Sequence, residues 1–357
     1  MGLIASFMGG PLIDRIGRKW IMTTSLAING LAYLFMGNAA TLPQFAILMS
    51  ITGSVNPLYR VGADAMMADL VPADKRIDAY ALFRLSNNLG IAIGPAIGGF
   101  IAATSYSLAF YFAAGGMIAY SLLLTFFAKE TLPSKTGLAD SSRASELIPR
   151  EKFGGYIPIL KDLPFIGFIL SFMLVSMCAT LVWVLLPVYA TENFSLPMQL
   201  YGLIPTTNAV MVVTLQLFVT RMTKRFPTLP VVAAGALFYA LAVGAIALMS
   251  GFWGFLLCMI VMTVGELIIV PTSSTYVANR APVDKRGRYM SLYALTWGMA
   301  VGISPVFGGL LNDRFGPSAI WIGGAVVGSI SVIAFLLLER HARNVRTREL
   351  ASIPLTN

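Results

Sequence analysis

Residues 71–76 read "VPADKR", and residues 281–286 read "APVDKR", an offset of 210 positions. The same offset carries Pro95, Gly98 and Gly99 onto Pro305, Gly308 and Gly309. One unit of architecture is therefore written twice. The polar stretch between the two copies, 129–162, is rich in Pro, Ser, Lys and Glu and reads as a linker. The reading is an N-terminal half-bundle at 1–128, a cytoplasmic linker at 129–162, a C-terminal half-bundle at 163–338 and a basic cytoplasmic tail at 339–357.

What is repeated is apolar. Of 357 residues 57% are hydrophobic and only 11% charged, and mean hydropathy is +0.77. A soluble domain carries about a quarter charged residues, so the balance indicates a membrane protein. Ten runs can each cross a hydrocarbon core about 30 Å thick: 20–39, 43–66, 79–103, 105–128, 163–190, 199–220, 229–249, 252–277, 289–311 and 318–338. The opening run, 1–13, would reach only about 20 Å as a helix, and it lacks the basic start and cleavage site of a signal peptide. Subtracting the repeat offset from 163–190 and 199–220 predicts a twelve-span design in which about 50 residues, with one span and half of another, would precede Met1.

The net charge of +9 does not mark a nucleic-acid binder. All lysines and arginines except Arg60, Arg84 and Arg314 fall in alternate connections or in the tail, the positive-inside pattern of a multi-pass protein with a cytoplasmic C-terminus. Patches built for phosphates would not skip every second loop. Cys178 and Cys258 lie inside apolar runs, and the single histidine, His341, lies in the tail. No metal-ligand spacing exists, and no nucleophile, base and orienting group cluster, so neither an enzyme nor a bound metal or cofactor is expected.

Residues 10–22, "GPLIDRIGRKWIM", fit G-x-L-x-D-R-x-G-R-K through Gly10, Leu12, Asp14, Arg15, Gly17, Arg18 and Lys19. This resembles the loop between spans two and three of the major facilitator superfamily. Residues 90–99, "GIAIGPAIGG", resemble the fifth-span motif of its drug:proton antiporter families through Gly90, Gly94, Pro95, Gly98 and Gly99. Glycines four apart leave a smooth stripe for a neighbouring helix, and Pro95 bends its helix by removing a backbone donor. The resemblance adds a stiff seam that discourages leak. The second copy, "SPVFGG" at 304–309, has Ser304 where the first has Gly94, and is expected to pack less closely. The resemblance further implies an all-α polytopic fold of two six-helix halves, the first truncated. It also implies a conformational latch in which Asp14 and Arg18 meet Asp69, with Arg76 extending the network.

Four ionisable residues lie within spans: Arg60, Asp64, Arg84 and Glu266. Each costs roughly 2.5–3.5 kcal/mol at mid-membrane, so each should face a cavity or a partner, and together they are the candidates for proton coupling or substrate contact. Arg60 and Asp64 stand four apart on one helix face and can pair. Arg84 resembles the lead-in to the antiporter motif, with Asp64 or Asp78 as its expected neighbours. Glu266, in "TVGELIIVP", reads as the most isolated acid, and a carboxyl placed so can exchange a proton for a cationic substrate. Asn56, Tyr59, Asn87, Trp183, Asn208, Gln216, Tyr293 and Trp297 are candidates for the cavity wall, because pockets are apolar with a few polar groups and cations stack on aromatic faces. Trp20, Trp253 and Trp321 fit the interfacial belt. One departure from the family stands out: where span four often carries an arginine, this chain has Met49 and Ser50.

The sequence reading is a monomeric secondary transporter of the plasma membrane that exports small lipophilic or cationic compounds against protons by alternating access. Its partners are a small-molecule substrate, protons and the lipid bilayer, with no nucleic acid. A transporter of another solute, such as a metabolite exporter or sugar-type importer, is the first alternative, though the fifth-span motif argues against import. An inactive truncated fragment or membrane interaction protein is the second.

Overall fold

The computed structural model describes residues 2–132 and 155–351, so most of the linker and the end of the tail lie outside the described residues. All regular structure among them is helical. The helices are α1 (Gly2–Ile16), α2 (Arg18–Met36), α3 (Leu42–Leu70), α4 (Arg76–Thr104), α5 (Tyr106–Phe127), α6 (Ile157–Leu160), α7 (Leu163–Phe194), α8 (Met198–Tyr201), α9 (Leu203–Thr223), α10 (Thr228–Ile246), α11 (Gly251–Arg280), α12 (Arg286–Phe315) and α13 (Ala319–Ala351).

The repeated hexapeptide folds the same way twice. Pro72 and Pro282, at ψ of 147° and 148°, each end a long span, and 3₁₀ turns follow at Ala73–Lys75 and Val283–Lys285. In both turns the lysine amide donates to the proline carbonyl at 3.0 Å. The next helix starts at the arginine, Arg76 or Arg286. Proline suits this position because it fixes φ and cannot extend the helix behind it.

Among the described residues, seven segments are long and apolar enough to cross a membrane: Tyr106–Phe127, Leu163–Phe194, Leu203–Thr223, Thr228–Ile246, Gly251–Arg280, Val283–Phe315 and Ala319–Asn344. The spans expected at 20–39, 43–66 and 79–103 form helices of 19, 29 and 29 residues. Arg60 and Asp64 lie within α3, and Asp78, Arg84 and a pair of asparagines lie within α4.

The chain divides into two compact units. The first comprises Met1–Ala79, Gly90–Lys161 and Val277–Leu295; the second comprises Tyr80–Leu89, Asp162–Tyr276 and Thr296–Asn357. Within the first, α2 packs on α3 and α5, and within the second, α10 packs on α13 and α7. Small residues set these crossings. Ser25 donates to the Val55 carbonyl at 2.7 Å where α2 meets α3. At the repeat-equivalent point between α10 and α11, a Cβ on Gly265 would come 2.7 Å from the Gly235 carbonyl. The crossing of α2 with α5 uses Gly30 against Ile118, whereas that of α10 with α13 uses Ala240 against Gly328. The glycine has changed helix, and one per crossing suffices.

Of the two proline–glycine motifs, the second is described throughout. A Cβ on Gly90 or Gly94 would meet open space among the described residues, and the surroundings of Pro95, Gly98 and Gly99 lie outside the described side chains. In the second copy a Cβ on Gly309 would also meet open space, whereas Ser304 and Gly308 are packed. Ser304 is fully buried and shares a hydrogen bond with Thr180 of α7 at 2.6 Å, and Gly308 lies against Leu181 and Leu185. The substituted serine adds a polar contact where a looser seam was expected. Trp321 likewise departs from the interfacial belt: it is fully buried, edge-on to Tyr189 at 5.1 Å, while Trp20 and Trp253 are exposed.

Candidate functional site

Two polar clusters stand out, one in each unit. The first gathers at the ends of α1 and α3 and the start of α12. Gly17, at φ of 116°, ends α1 in a conformation only glycine adopts freely, and the chain restarts as α2 at Arg18. Asp14 then stands in the last turn of α1 facing the first amides of α12. Gly287 N–H donates to its Oδ1 at 2.9 Å and Arg288 N–H to its Oδ2 at 3.1 Å. Helix N-termini carry unpaired amides and partial positive charge, which an anion satisfies. The approach needs glycine on both sides: a Cβ on Gly10 would come 2.7 Å from Arg288 Cα, and one on Gly287 would come 2.8 Å from the Gly10 carbonyl.

Arg18 is fully buried. Its Nη2 lies 3.4 Å from Asp14 Oδ1 and donates to the Val283 carbonyl at 2.9 Å, and its Nε lies 3.0 Å from Asp69 Oδ2, near enough for attraction but poorly aimed for a hydrogen bond. Asp69 also accepts from Arg286 and, at 2.9 Å, from the Thr131 hydroxyl. Arg288 approaches Asp14 at 4.0 Å. Burial pushes the Asp14 carboxyl up to about 6, against the opposing pull of Arg18 and the two α12 amides.

Asp14, Arg18 and Asp69 therefore meet. Arg76 serves a related place. It donates to the carbonyls of Ala68 (2.6 Å), Val71 (3.1 Å) and Ala278 (3.2 Å) and to Asn279 Oδ1 at 2.6 Å, joining the ends of α3 and α11. Its repeat counterpart Arg286 reaches Asp69, itself the counterpart of Asn279. The two arginines thus make reciprocal contacts, one ending on a carboxylate and the other on an amide. Arg15 and Trp20 are exposed, and Lys19 Nζ sits 5.0 Å over the Trp20 ring.

Sequence reading missed several members of this cluster. Glu130 accepts from the amides of Arg18 (2.9 Å) and Lys19 (3.2 Å), so it caps α2 from beyond the end of α5. Tyr156 stacks on Phe7 with centroids 4.4 Å apart, donates to the Phe7 carbonyl and shares a 2.9 Å hydrogen bond with Ser291. Arg286 was legible through the repeat, as the partner of Arg76. Gly287, Arg288 and Tyr156 offered no signal beyond their residue type.

The second cluster surrounds Glu266 on α11. Gly265, pressed against Gly235, fixes α11 on α10 and so sets where Glu266 stands. Arg84 of α4 pairs with Glu266 Oε1 at 2.6 Å, and its other terminal nitrogen donates to the Glu266 carbonyl at 2.8 Å. Asn208 of α9 donates to Glu266 Oε2 at 2.6 Å and to the Thr263 hydroxyl at 2.9 Å. One turn on, Pro271 has no N–H for the Leu267 carbonyl, and Gln216 of α9 supplies the missing donor at 3.0 Å.

Glu266 is thus not an isolated acid, and the partner of Arg84 is neither Asp64 nor Asp78. Residues 80–89 of α4 belong to the same compact unit as Glu266, which brings the two together from 182 positions apart. Asp64 lies in the field of Arg60, and Asp64 and Asp78 have contacts of their own.

The residues proposed for the cavity wall differ in burial and in partners. Asn208 and Gln216 are buried and committed to hydrogen bonds within the helix bundle. Tyr59 shares a 3.0 Å hydrogen bond with Tyr120, Tyr293 is buried and Trp183 half-buried. Asn56, Asn87 and Trp297 are exposed. A shallow groove of about 480 Å³ runs along α3, lined by Ala46, Ile47, Ser50, Ile51, Ser54 and Val55, none of them a proposed site residue.

Long apolar helices in two sequence repeats, with buried charge at their ends and within the spans, define a polytopic membrane transporter. The chain belongs to the major facilitator superfamily, whose family model matches residues 1–189 and again 165–356. It is 27% identical over 328 residues to a Na⁺, Li⁺, K⁺/H⁺ antiporter of Planococcus maritimus, covering 85% of this chain and 76% of that protein. It is 22% identical over 344 residues to the quinolone resistance protein NorA of Staphylococcus aureus, covering 96% of this chain and 85% of that protein. Among solved structures, the fucose:proton symporter of Escherichia coli has the same fold at a TM-score of 0.73 and 18% identity, with 94% of this chain and 90% of that one covered.

Proposed function

We propose that the protein exports small lipophilic cations across the plasma membrane in exchange for protons, with Glu266 as the exchanging carboxylate. The observation that carries this reading is the Glu266 cluster: a carboxylate within a membrane span, paired with Arg84 and held by Asn208. An acid in that setting is costly to keep and is retained where it binds a cation or a proton. Similarity to an antiporter and to a drug-resistance protein supports exchange and export. The network of Asp14, Arg18, Asp69 and Arg286 acts as a latch that holds one conformation and opens in the other. The repeats act as two halves rocking about a central site, with the linker and C-terminus in the cytoplasm.

Inverted vesicles carrying the full chain test this. An inside-acid gradient should drive ethidium uptake, and Glu266→Gln should reduce that uptake at least tenfold while inserting normally. Uptake by Glu266→Gln that still follows the pH gradient would remove Glu266 from coupling. Similarity to the alkali-cation antiporter favours a second reading, exchange of Na⁺ or K⁺ for protons. In the same vesicles, dissipation of the pH gradient by added NaCl or KCl but not by ethidium would select it.

A further inference from the structure

We propose that Glu266, Thr263 and Asn208 form a site for a small alkali cation, Na⁺ or Li⁺, in which the Asn208 amide turns over to present its oxygen to the ion. This rests on Glu266 being the exchanging carboxylate and adds a bare metal ion to the cargo that carboxylate accepts.

Hydrogen bonding around Asn208 points to the ion. Its Nδ2 lies 2.6 Å from Glu266 Oε2 and 2.9 Å from Thr263 Oγ1. An ionised carboxylate can only accept. The Thr263 hydroxyl donates its single proton to the Met259 carbonyl at 2.7 Å, so it too turns a lone pair toward Asn208. Two oxygens of α11 thus converge on one point, and that point suits an electropositive group. Asn208 fills it from α9 with the positive end of its amide. A metal ion entering between the oxygens reverses the demand, because the N–H groups would then face a cation. A half-turn about the last side-chain bond, a torsion with a two-fold preference, brings Oδ1 round as the third ligand.

The donor set fixes the class of ion. All three ligands are hard oxygens, which suit alkali and alkaline-earth ions rather than transition metals. Arg84, 2.6 Å from Glu266 Oε1, already balances the charge of the carboxylate. A divalent ion would therefore leave two uncompensated charges within a membrane span, and a monovalent ion only one. Thr263 is fully buried and Asn208 nearly so, whereas the Glu266 side chain is 17% exposed. Water can thus reach the carboxylate side and complete the shell of the ion. The arrangement belongs to the second repeat alone: the counterparts of Thr263 and Glu266 are Gly53 and Asn56, which offer neither hydroxyl nor carboxylate. Every group involved lies within one compact unit.

Binding of radioactive Na⁺ to the full chain, purified in detergent and captured on scintillant beads, tests the site. Wild type should bind Na⁺, and LiCl should displace it at least tenfold more effectively than MgCl₂. Thr263→Val, which keeps the shape and removes the oxygen, should weaken binding at least tenfold, and Thr263→Ser, which restores the oxygen, should bind within threefold of wild type. Asn208→Leu should weaken binding as far as Thr263→Val does. Wild type that binds no Na⁺, displacement by MgCl₂ as effective as by LiCl, or wild-type affinity in Thr263→Val or Asn208→Leu would overturn the site. Should Thr263→Val fail to insert, Thr263→Ala, which also lacks the oxygen, carries the same expectation, and failure of both assigns the hydroxyl to folding and overturns the site. Wild-type proteoliposomes that exchange no protons for ethidium would defeat the exchange reading instead, and Na⁺ binding would still decide the site.

Discussion

Asp14 illustrates how a single side chain ties local structure to state. Its carboxylate is almost fully buried, and burial lifts its pKa from the ordinary 3.8 to about 6. The folded protein therefore binds this proton more tightly than the unfolded chain does. Its contribution to stability is fully present below about pH 4 and is lost as pH rises through about 6. A shift of roughly two units corresponds to about 3 kcal/mol. Thermal unfolding in detergent should show a stability decline between pH 4 and 6 that Asp14→Asn lacks, the two proteins being compared at each pH. The sequence disclosed Asp14, Arg18 and Asp69 because a motif places them, and Glu266 because an acid inside an apolar run is conspicuous. It could not disclose the partner of Arg84. Neighbours in the chain offered Asp64 and Asp78, whereas tertiary packing supplied Glu266. Nor could it assign Gln216, whose task is defined by a carbonyl on another helix.

At the scale of elements, α11 carries a break that a second helix repairs. Pro271 leaves the Leu267 carbonyl without its helical donor, and Gln216 fills the place from α9. Gln216→Leu should cost about 1–3 kcal/mol, the penalty of an unsatisfied buried carbonyl. Pro271→Ala restores an N–H to α11, so Gln216→Leu should cost markedly less in that background. A double-mutant cycle by denaturation in detergent measures the difference, and additive costs would detach Gln216 from the break. Helix positions were legible because apolar runs and their proline and glycine limits are local properties. The repeated hexapeptide predicted equivalent positions, and both copies form the same turn. Helix contacts were less legible. A stripe of glycines signals room for a neighbour without naming it, and at the copy with a serine that neighbour is α7.

For the whole molecule, the chain's charge distribution makes a prediction about sidedness. Basic residues crowd alternate connections and the tail, so those parts should face the cytoplasm. Cys178 and Cys258 are buried, which leaves little background for thiol labelling. In intact cells a membrane-impermeant thiol reagent should modify Ser250→Cys, in the exposed connection between α10 and α11, and should reach His341→Cys only after permeabilisation. Labelling of His341→Cys in intact cells would invert the topology.

The stretch between the repeats has both margins moored. Glu130 is tied to the first amides of α2, and Tyr156 to Phe7 and Ser291, all within one compact unit. A chain segment that leaves and rejoins the same body is a closed loop, whose ends are held whatever lies between them. Lengthening such a loop costs only about 0.6 kcal/mol for each doubling, so the interval offers a place to splice a fluorescent domain that would travel with that body.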